Sequence, residues 1–394
     1  MILKKILTAS LLGASFIGLM AQSFIPAYST RANQVTQTNV NTLLQEFEAL
    51  GIKKTGTVAN ENALQWIKAK YLNFGYSAGQ IVEDAFSYNN GMSTVNSKNL
   101  VITKTGTTYP NTFVIICGHF DTINGPGVDD NGSGTAAILE VARILKDVPT
   151  EYSIKFIHFS GEEQGLKGSA HYVNSVVNAT NPKMNIKLVF NLDQVGGKIG
   201  NNNNTIYCDQ DMGGLSSNNA ASQAITLQLA NCTTLYSPLL TAYDPAANSD
   251  YIPFEQNGEI ITGFYEYTRG YLEHSANDTL ANVDKVYVKN VAMASVGAAQ
   301  HFAVAQSTLA TSESSLADDQ FQIYPIPTQN VLNIDFVEVG NAQFIFDLID
   351  ASGRLVMTSQ NQKQIDVTAL DTGIYIGRLK IKDKIFQKKI IIKK

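Results

Sequence analysis

Short runs of apolar residues alternate along the chain with stretches of helical periodicity. A helical pattern starts near residue 39, Leu64, Ile67 and Tyr71 recur at helical spacing, and Gly75 is a stop signal after them. Asn99 to Thr103 is a short β-branched strand, and Phe113 to Cys117 is a continuous apolar run, the pattern of a strand buried on both faces. Thr135 to Leu145 is predicted to be a helix, with Ile138, Leu139, Val141, Ile144 and Leu145 apolar. Ser153 to Phe159 and Leu188 to Phe190 predict two further strands. This alternation predicts an α/β domain with a mixed, mainly parallel sheet flanked by helices. In such sheets functional groups gather where strands end.

The pattern changes after residue 305. Residues 306–320 are rich in Ser, Thr, Ala and Asp and read as a linker. Beyond it, Phe344 to Asp350 leads to a turn at Ser352-Gly353, and Ile365 to Val367 leads to a turn at Thr372-Gly373, followed by Ile374 to Ile376. Short strands with turns between them predict a small all-β sandwich over 321–394.

At the other end, Lys4 and Lys5 precede an apolar stretch, Ile6 to Met20, and the small residue Ala21. Residues 1–21 therefore read as a secretory signal peptide, too short and wrongly flanked for a membrane span. Residues 22–38, rich in Thr, Asn and Gln, read as a pro-segment or a disordered lead-in. No later stretch approaches about 18 consecutive apolar residues, so no stable span is expected in the exported protein.

Composition narrows the chemistry. Hydrophobic residues make up 44% of the chain, enough for a full core, and the net charge is −5 with no basic stripe in the first three hundred residues, which excludes a nucleic-acid partner. Of three cysteines, Cys117 lies in a buried strand, while Cys208 and Cys232 are available to pair in an oxidising compartment. None forms a zinc-type cysteine pair, so a metal would be held by His and carboxylate.

Candidate ligands recur at strand ends. His119 and Asp121, two apart after Phe113–Cys117, point to the same side of an extended chain. That suits a metal-bound His whose second ring nitrogen donates to a carboxylate. Asp129-Asp130 precede a helix N-terminus, where this piece taken alone favours a simple acidic turn with a helix cap. Glu162-Glu163 end the next strand, so one side chain can reach a metal and the other its water. Asp193 ends a further strand, and His274 and Asp278 lie in a later loop. Asp129, Glu163 and Asp193 with a bridging hydroxide would balance two divalent cations; the donor types suit Zn²⁺, with Co²⁺ or Mn²⁺ as alternatives. Among the five histidines, His158 inside a strand, His171 and His301 read as structural.

Taken together, His119-Phe-Asp121, Asp129-Asp130-Asn-Gly-Ser-Gly, Glu162-Glu163-x-Gly-Leu-x-Gly-Ser, Asn191-x-Asp193 and His274-x-x-x-Asp278-Thr-Leu resemble the zinc aminopeptidase family of secreted bacterial leucine aminopeptidases. The resemblance implies a dinuclear zinc peptidase domain over 39–305. Two Zn²⁺ ions would be held by His119 and Asp193 on one side and Glu163 and His274 on the other. Asp129 would bridge them and Asp130 would shape its backbone. Glu162 would be the general base, taking a proton from the bridging water and passing it to the leaving amine, and Asp121 would orient His119. Substrates would be the N-termini of peptides or proteins. The chain departs from the family at Ser249-Asp250-Tyr251, where His is frequent in place of Tyr251, and it leaves the oxyanion-stabilising Tyr unplaced, with Tyr243 and Tyr271 as candidates.

The tail has its own resemblance. Ile323-Tyr324-Pro325-Ile326-Pro327-Thr328, Leu348-Ile349-Asp350-Ala-Ser-Gly353-Arg354 and Leu370-Asp-Thr-Gly373-Ile374-Tyr375 resemble the C-terminal sorting domain of type IX secretion in Bacteroidota, although Asn is usual where Ile326 stands. It implies engagement of that machinery after passage through the periplasm, and a secreted or cell-surface protein. On the same catalytic scaffold, carboxypeptidases commonly have Glu in place of Asp193, and glutaminyl cyclases usually lack the second acid of the Asp129-Asp130 pair. A non-catalytic surface binding protein has no need of a base such as Glu162 beside a metal ligand.

Overall fold

Three helices open the described chain. The structure, a computed structural model, describes residues 22–307, 321–336, 343–350, 354–381 and 384–394. The expected signal peptide, residues 308–320 of the linker and the Ser352-Gly353 turn lie outside the described residues. Helix α1 (Pro26–Ala32) has its Pro in the first turn, where the missing N–H costs nothing. The side chains of Thr36 and Thr57 cap α2 (Gln37–Ala49) and α3 (Val58–Asn73) by accepting from Asn39 N and Asn60 N. A hairpin, β1 (Ile81–Asn89) and β2 (Thr94–Lys104), leads into β3 (Tyr109–His119). There follow α4 (Gly134–Leu145), β4 (Tyr152–Phe159), α5 (Lys167–Tyr172), β5 (Asn185–Leu192), β6 (Thr205–Gln210), α6 (Ser216–Tyr236), β7 (Leu240–Pro245), α7 (Ile252–Gln256), β8 (Ile261–Glu266) and α8 (Lys285–Phe302).

The eight strands form one sheet in the order β1-β2-β4-β3-β5-β8-β6-β7. Its centre, β4-β3-β5-β8, is parallel throughout. Antiparallel pairing enters at β1–β2, β2–β4 and β6–β8, so the sheet is mixed, as the alternation of elements predicts. Both faces of the central strands are covered. Leu188, Phe190, Val114 and Ile116 pack into the core that α4 and α8 complete, while Val189, Ile115 and Ile157 pack with Val173 and Phe254 on the other face. Helix α4 is apolar around most of its circumference because it is buried nearly all round.

Residues 22–38, expected to be a pro-segment or a disordered lead-in, contain helix α1. Its Tyr28 and Arg31 are buried; Tyr28 donates to the Ala305 carbonyl, and Arg31 Nη1 donates to Gln300 Oε1 at 3.1 Å. Ile25 N also donates to Tyr236 Oη at 3.0 Å, tying the segment to α6 and α8.

The C-terminal strands are β9 (Phe321–Tyr324), β10 (Val331–Phe336), β11 (Phe344–Asp350), β12 (Leu355–Gln360), β13 (Gln364–Asp366), β14 (Gly373–Ile381) and β15 (Lys384–Ile392). They form two antiparallel sheets, β13-β10-β9 and β12-β11-β14-β15. Ile323, Leu332 and Ile334 from the first meet Phe346, Leu348, Leu379 and Ile390 from the second in one core. This is a small β-sandwich. No helix among the described residues is long and apolar enough to cross a membrane.

Candidate metal centre

Four adjacent parallel strands deliver their C-terminal ends to one place. β3 ends in His119, β4 is followed by Glu162-Glu163, β5 by Asp193, and the loop after β8 carries His274. Asp130 enters from the turn between β3 and α4. Two groups result: His119, Asp130 and Asp193, and Asp130, Glu163 and His274. His119 Nε2 lies 3.2 Å from Asp130 Oδ1 and 3.2 Å from Asp193 Oδ1. His274 Nε2 lies 3.3 Å from Asp130 Oδ2 and 2.8 Å from Glu163 Oε2. Ligands about 2.0–2.1 Å from a tetrahedral zinc stand about 3.3–3.4 Å from one another, so three of these four separations already suit a shared cation. His119 and Asp130 are buried, whereas the His274 side chain is 50% exposed, so the centre opens to solvent on the His274 side.

The carboxylate shared by the two groups is Asp130; Asp129, expected to bridge, belongs to neither. Asp278 accepts from the backbone N–H groups of both residues, at 2.6 Å from Asp129 and 3.0 Å from Asp130. Asp130 has a non-helical backbone (φ −108°, ψ 91°), which turns the two side chains apart. Asp129 Oδ1 accepts from Gly196 N at 2.8 Å, and its Oδ2 is buried without a partner. A Cβ on Gly196 would sit 2.5 Å from Asp129 Oδ1, so only glycine lets the backbone approach that carboxylate. The charge count is unchanged, with Asp130 in the place of Asp129.

Asp121 also acts differently from expectation. His119 Nδ1 is 3.1 Å from the Asp121 main-chain oxygen and 3.8 Å from its carboxylate. The carboxylate Oδ1 instead accepts from Glu162 N at 3.2 Å. Asp193 is held by Ser249, whose Oγ donates to Oδ2 at 2.6 Å and accepts from Asn191 Nδ2 at 2.9 Å.

The electrostatics of the cluster favour a cation. Burial, opposed by His119 and reinforced by Asp193, Asp250 and Asp121, pushes Glu162 up to about 10. Burial and Asp130 push Glu163 up to about 8. A hydrogen bond to Asp130 raises His274 to about 9. His119 is raised too, because Asp193 and Glu162 outweigh its burial. Acids crowded into a buried volume with only two imidazoles between them, in the donor types that zinc takes, fit a pair of divalent cations.

The other histidines lie elsewhere. His158 Nε2 is 2.9 Å from Tyr71 Oη, His171 Nε2 is 3.3 Å from Asp84, and His301 Nε2 is 2.8 Å from Tyr236 Oη. Tyr243 and Tyr271, the candidates for stabilising an oxyanion, are 44% and 76% exposed. The tyrosine that does lie beside the two groups is Tyr265, whose hydroxyl donates to Gln194 Oε1 at 2.5 Å, while Gln194 Nε2 reaches Asp130 Oδ2 at 3.4 Å. Gln194 follows Asp193 directly and has positive φ, so adjacency to a ligand was the signal that could have found it. Tyr251 is buried and donates to Asp209 at 2.8 Å. Cys117, Cys208 and Cys232 are buried free thiols, so the Cys208–Cys232 bond is not formed.

Sequence and structure comparisons bear on the same residues. The sequence model of Peptidase family M28 matches residues 99–299, and that of the Secretion system C-terminal sorting domain matches 322–393. The Aminopeptidase YwaD of Bacillus subtilis is 45% identical over 84 residues, 21% of this chain and 18% of that protein, so the match spans under a fifth of the relative's length. An aminopeptidase from Aneurinibacillus sp. superposes with a TM-score of 0.60 at 16% identity, over 70% of this chain and 96% of that one. A glutaminyl cyclase from Macrostomum lignano does so with a TM-score of 0.62 at 13% identity, over 73% and 97%. At these identities the two structures share the fold.

Proposed function

Since the chain belongs to peptidase family M28, we propose that it is a zinc-dependent aminopeptidase that removes N-terminal residues from peptides. The sorting domain at 322–393 implies secretion or attachment at the cell surface, where peptides are available as substrates. One observation carries the reading: two His–carboxylate groups share Asp130, with Glu162 at the next residue to Glu163. His119, Asp130 and Asp193 would hold one zinc, and Asp130, Glu163 and His274 the other. Two zinc ions, when bound, supply Lewis acidity toward the scissile carbonyl and toward water.

The chain's own residues do the rest. Glu162 accepts a proton and later returns it to the leaving amine, the general acid–base task for which a carboxylate next in sequence to Glu163 is placed. Asp121 fixes the His119 ring through its main-chain oxygen and braces the Glu162 backbone through its carboxylate. Ser249 keeps Asp193 turned toward His119. We assign the catalytic unit to residues 22–305, including α1, since that helix packs on α6 and α8.

The test is a mass-spectrometric digest of mixed peptides with zinc. Peptides with free N-termini, acetylated N-termini and N-terminal Gln are compared. Sequential loss from free N-termini alone supports the aminopeptidase. Ammonia loss from N-terminal Gln would make it a glutaminyl cyclase, in line with the fold it shares with such enzymes. Shortening from the C-terminus would make it a carboxypeptidase.

A further inference from the structure

The catalytic Glu162 is braced by a group that lies outside the segment matched by the family. Asp121 is fully buried, and its two carboxylate oxygens have different partners. Oδ1 accepts from Glu162 N at 3.2 Å, and Oδ2 accepts from Thr55 Oγ1 at 3.0 Å. Thr55 is itself 5% exposed and stands in the loop between α2 and α3. Its hydroxyl lies 3.3 Å from Ser160 Oγ, two residues before Glu162. Ser160 Oγ in turn accepts from Ser97 Oγ at 3.0 Å and donates to Asn60 Oδ1 at 3.1 Å. Asn60 Nδ2 closes the ring on the Lys53 main-chain oxygen at 3.2 Å. The loop is fixed alongside Asp121 by main chain as well: Lys53 N donates to Thr122 Oγ1 at 2.9 Å, and Thr122 N donates to Lys53 O at 3.4 Å.

The geometry points to Thr55 as a positioning residue for the Glu162 loop, acting through the Asp121 carboxylate and supported by the buried hydroxyl of Ser160 and the half-buried one of Ser97. A hydroxyl rotates freely and can donate to only one acceptor at a time. Ser160 gives its own proton to Asn60 Oδ1, which leaves the Thr55 hydroxyl as a donor, and of the acceptors in its reach the charged Asp121 Oδ2 at 3.0 Å is stronger than Ser160 Oγ at 3.3 Å. With both oxygens engaged, the carboxylate has one orientation, and the N–H of Glu162 has one place to be. A buried carboxylate oxygen left without its donor would turn to find another, and the Glu162 backbone would follow it. Thr55, Asn60 and Ser97 all precede residue 99, where the family match begins, while Asp121 and Ser160 lie within it.

The catalytic arm of the test rests on the aminopeptidase reading; the structural arm does not. The full chain is prepared as wild type, Thr55→Val, which keeps the shape and removes the hydroxyl, and Thr55→Ser, which restores it. Amide hydrogen exchange is followed by mass spectrometry over residues 159–168, and kcat and KM are measured on the best free-N-terminus peptide. Thr55→Val is expected to exchange faster in that segment alone and to lose about tenfold in kcat at unchanged KM, the size typical of partners that orient a ligand or a base from behind. Thr55→Ser is expected to return both to wild type. Wild-type exchange and kcat in Thr55→Val would overturn the assignment, and so would equal damage in the Val and Ser variants with exchange raised across the whole domain. If Thr55→Val does not fold, Ser97→Ala removes a hydroxyl one link further back; faster exchange confined to 159–168 supports the brace, and unchanged exchange overturns it. A wild-type chain that cleaves no peptide ends the aminopeptidase reading and leaves the exchange comparison to decide this one.

Discussion

Exchanging one carboxylate oxygen for an amide at each of two adjacent residues separates the bridging position from its neighbour. Asp130→Asn and Asp129→Asn differ by nothing in size or sequence context, yet they should behave oppositely. Asp130 presents Oδ1 to His119 and Oδ2 to His274, at 3.2 and 3.3 Å, so it is the one acid common to both groups. The amide removes the negative charge from both and replaces one of the two oxygens by a nitrogen that cannot ligate. Loss of a residue that merely orients a ligand costs about 10–100-fold in metal affinity. Loss of the shared ligand itself should therefore cost more than about 100-fold at each group. Asp129→Asn retains an oxygen for Gly196 N, and its other atom already lacks a partner, so the two groups are left untouched. The assay is equilibrium dialysis against zinc with metal counted by mass spectrometry. Two zinc ions per chain are expected in wild type and Asp129→Asn, and one or fewer in Asp130→Asn. Two ions held with wild-type affinity by Asp130→Asn, or zinc lost from Asp129→Asn, would refute the assignment of Asp130 as the bridge.

Three further outcomes are expected. Glu162→Gln should keep its zinc and lose about 10²–10⁴ in turnover, the usual contribution of a general base; near-normal turnover would remove Glu162 from that role. Lys53 is fully buried, with Nζ donating to the carbonyls of Phe47, Gly51 and Pro126 at 3.2, 2.6 and 2.7 Å. Lys53→Met leaves those acceptors without a donor and should lower the unfolding free energy by about 2–3 kcal/mol, read from the urea midpoint, with an unchanged midpoint counting against it. Burial lowers His158 to about 3 from 6.5. The unfolded chain takes up that proton near 6.5 and the folded chain resists it, so protons favour unfolding, and this contribution to stability is lost as pH falls from about 6.5 toward 3. His158→Gln should flatten that part of the pH–stability curve; a curve as steep as wild type would show that other groups cause it.

The elements legible in the sequence are those whose environment is uniform along their length. Phe113–Cys117 lies at the sheet centre with apolar cover on both faces, so it reads as an unbroken apolar run, and Ser153–Phe159 beside it keeps Ile154, Phe156, Ile157 and Phe159 in that core. Strand β1 is an edge strand with only Phe86 buried, and no run or clean alternation marks it. Helix α6 hides for another reason: Asn218, Ser222, Thr226 and Thr233 occupy buried positions, which erases the contrast between its faces. Thr226 is accommodated there because its hydroxyl donates to Asp209 O at 2.8 Å and meets Thr262 Oγ1 at 2.8 Å, a tertiary arrangement that hydropathy cannot carry.

The same distinction runs through the site. Residue types at strand ends are a local property, which is why residue type and spacing alone make His119, Glu162, Glu163, Asp193 and His274 candidates. The choice between Asp129 and Asp130 is not local, because two adjacent acids differ only in where the backbone turns them. That direction is set by Asp278, which takes both N–H groups from a loop nearly 150 residues away. Thr55 is further from view still. It is 66 positions from Asp121, it belongs to no motif, and a single Thr in a loop is among the commonest residues a sequence offers. What makes it informative is the combination of a buried hydroxyl, a charged acceptor within reach and a neighbouring serine whose own proton goes to Asn60. A site read from ligand types alone therefore stops at the atoms that can touch metal. The groups that decide whether those atoms hold still are ordinary polar residues, and only their buried hydrogen bonds distinguish them from the many that do nothing.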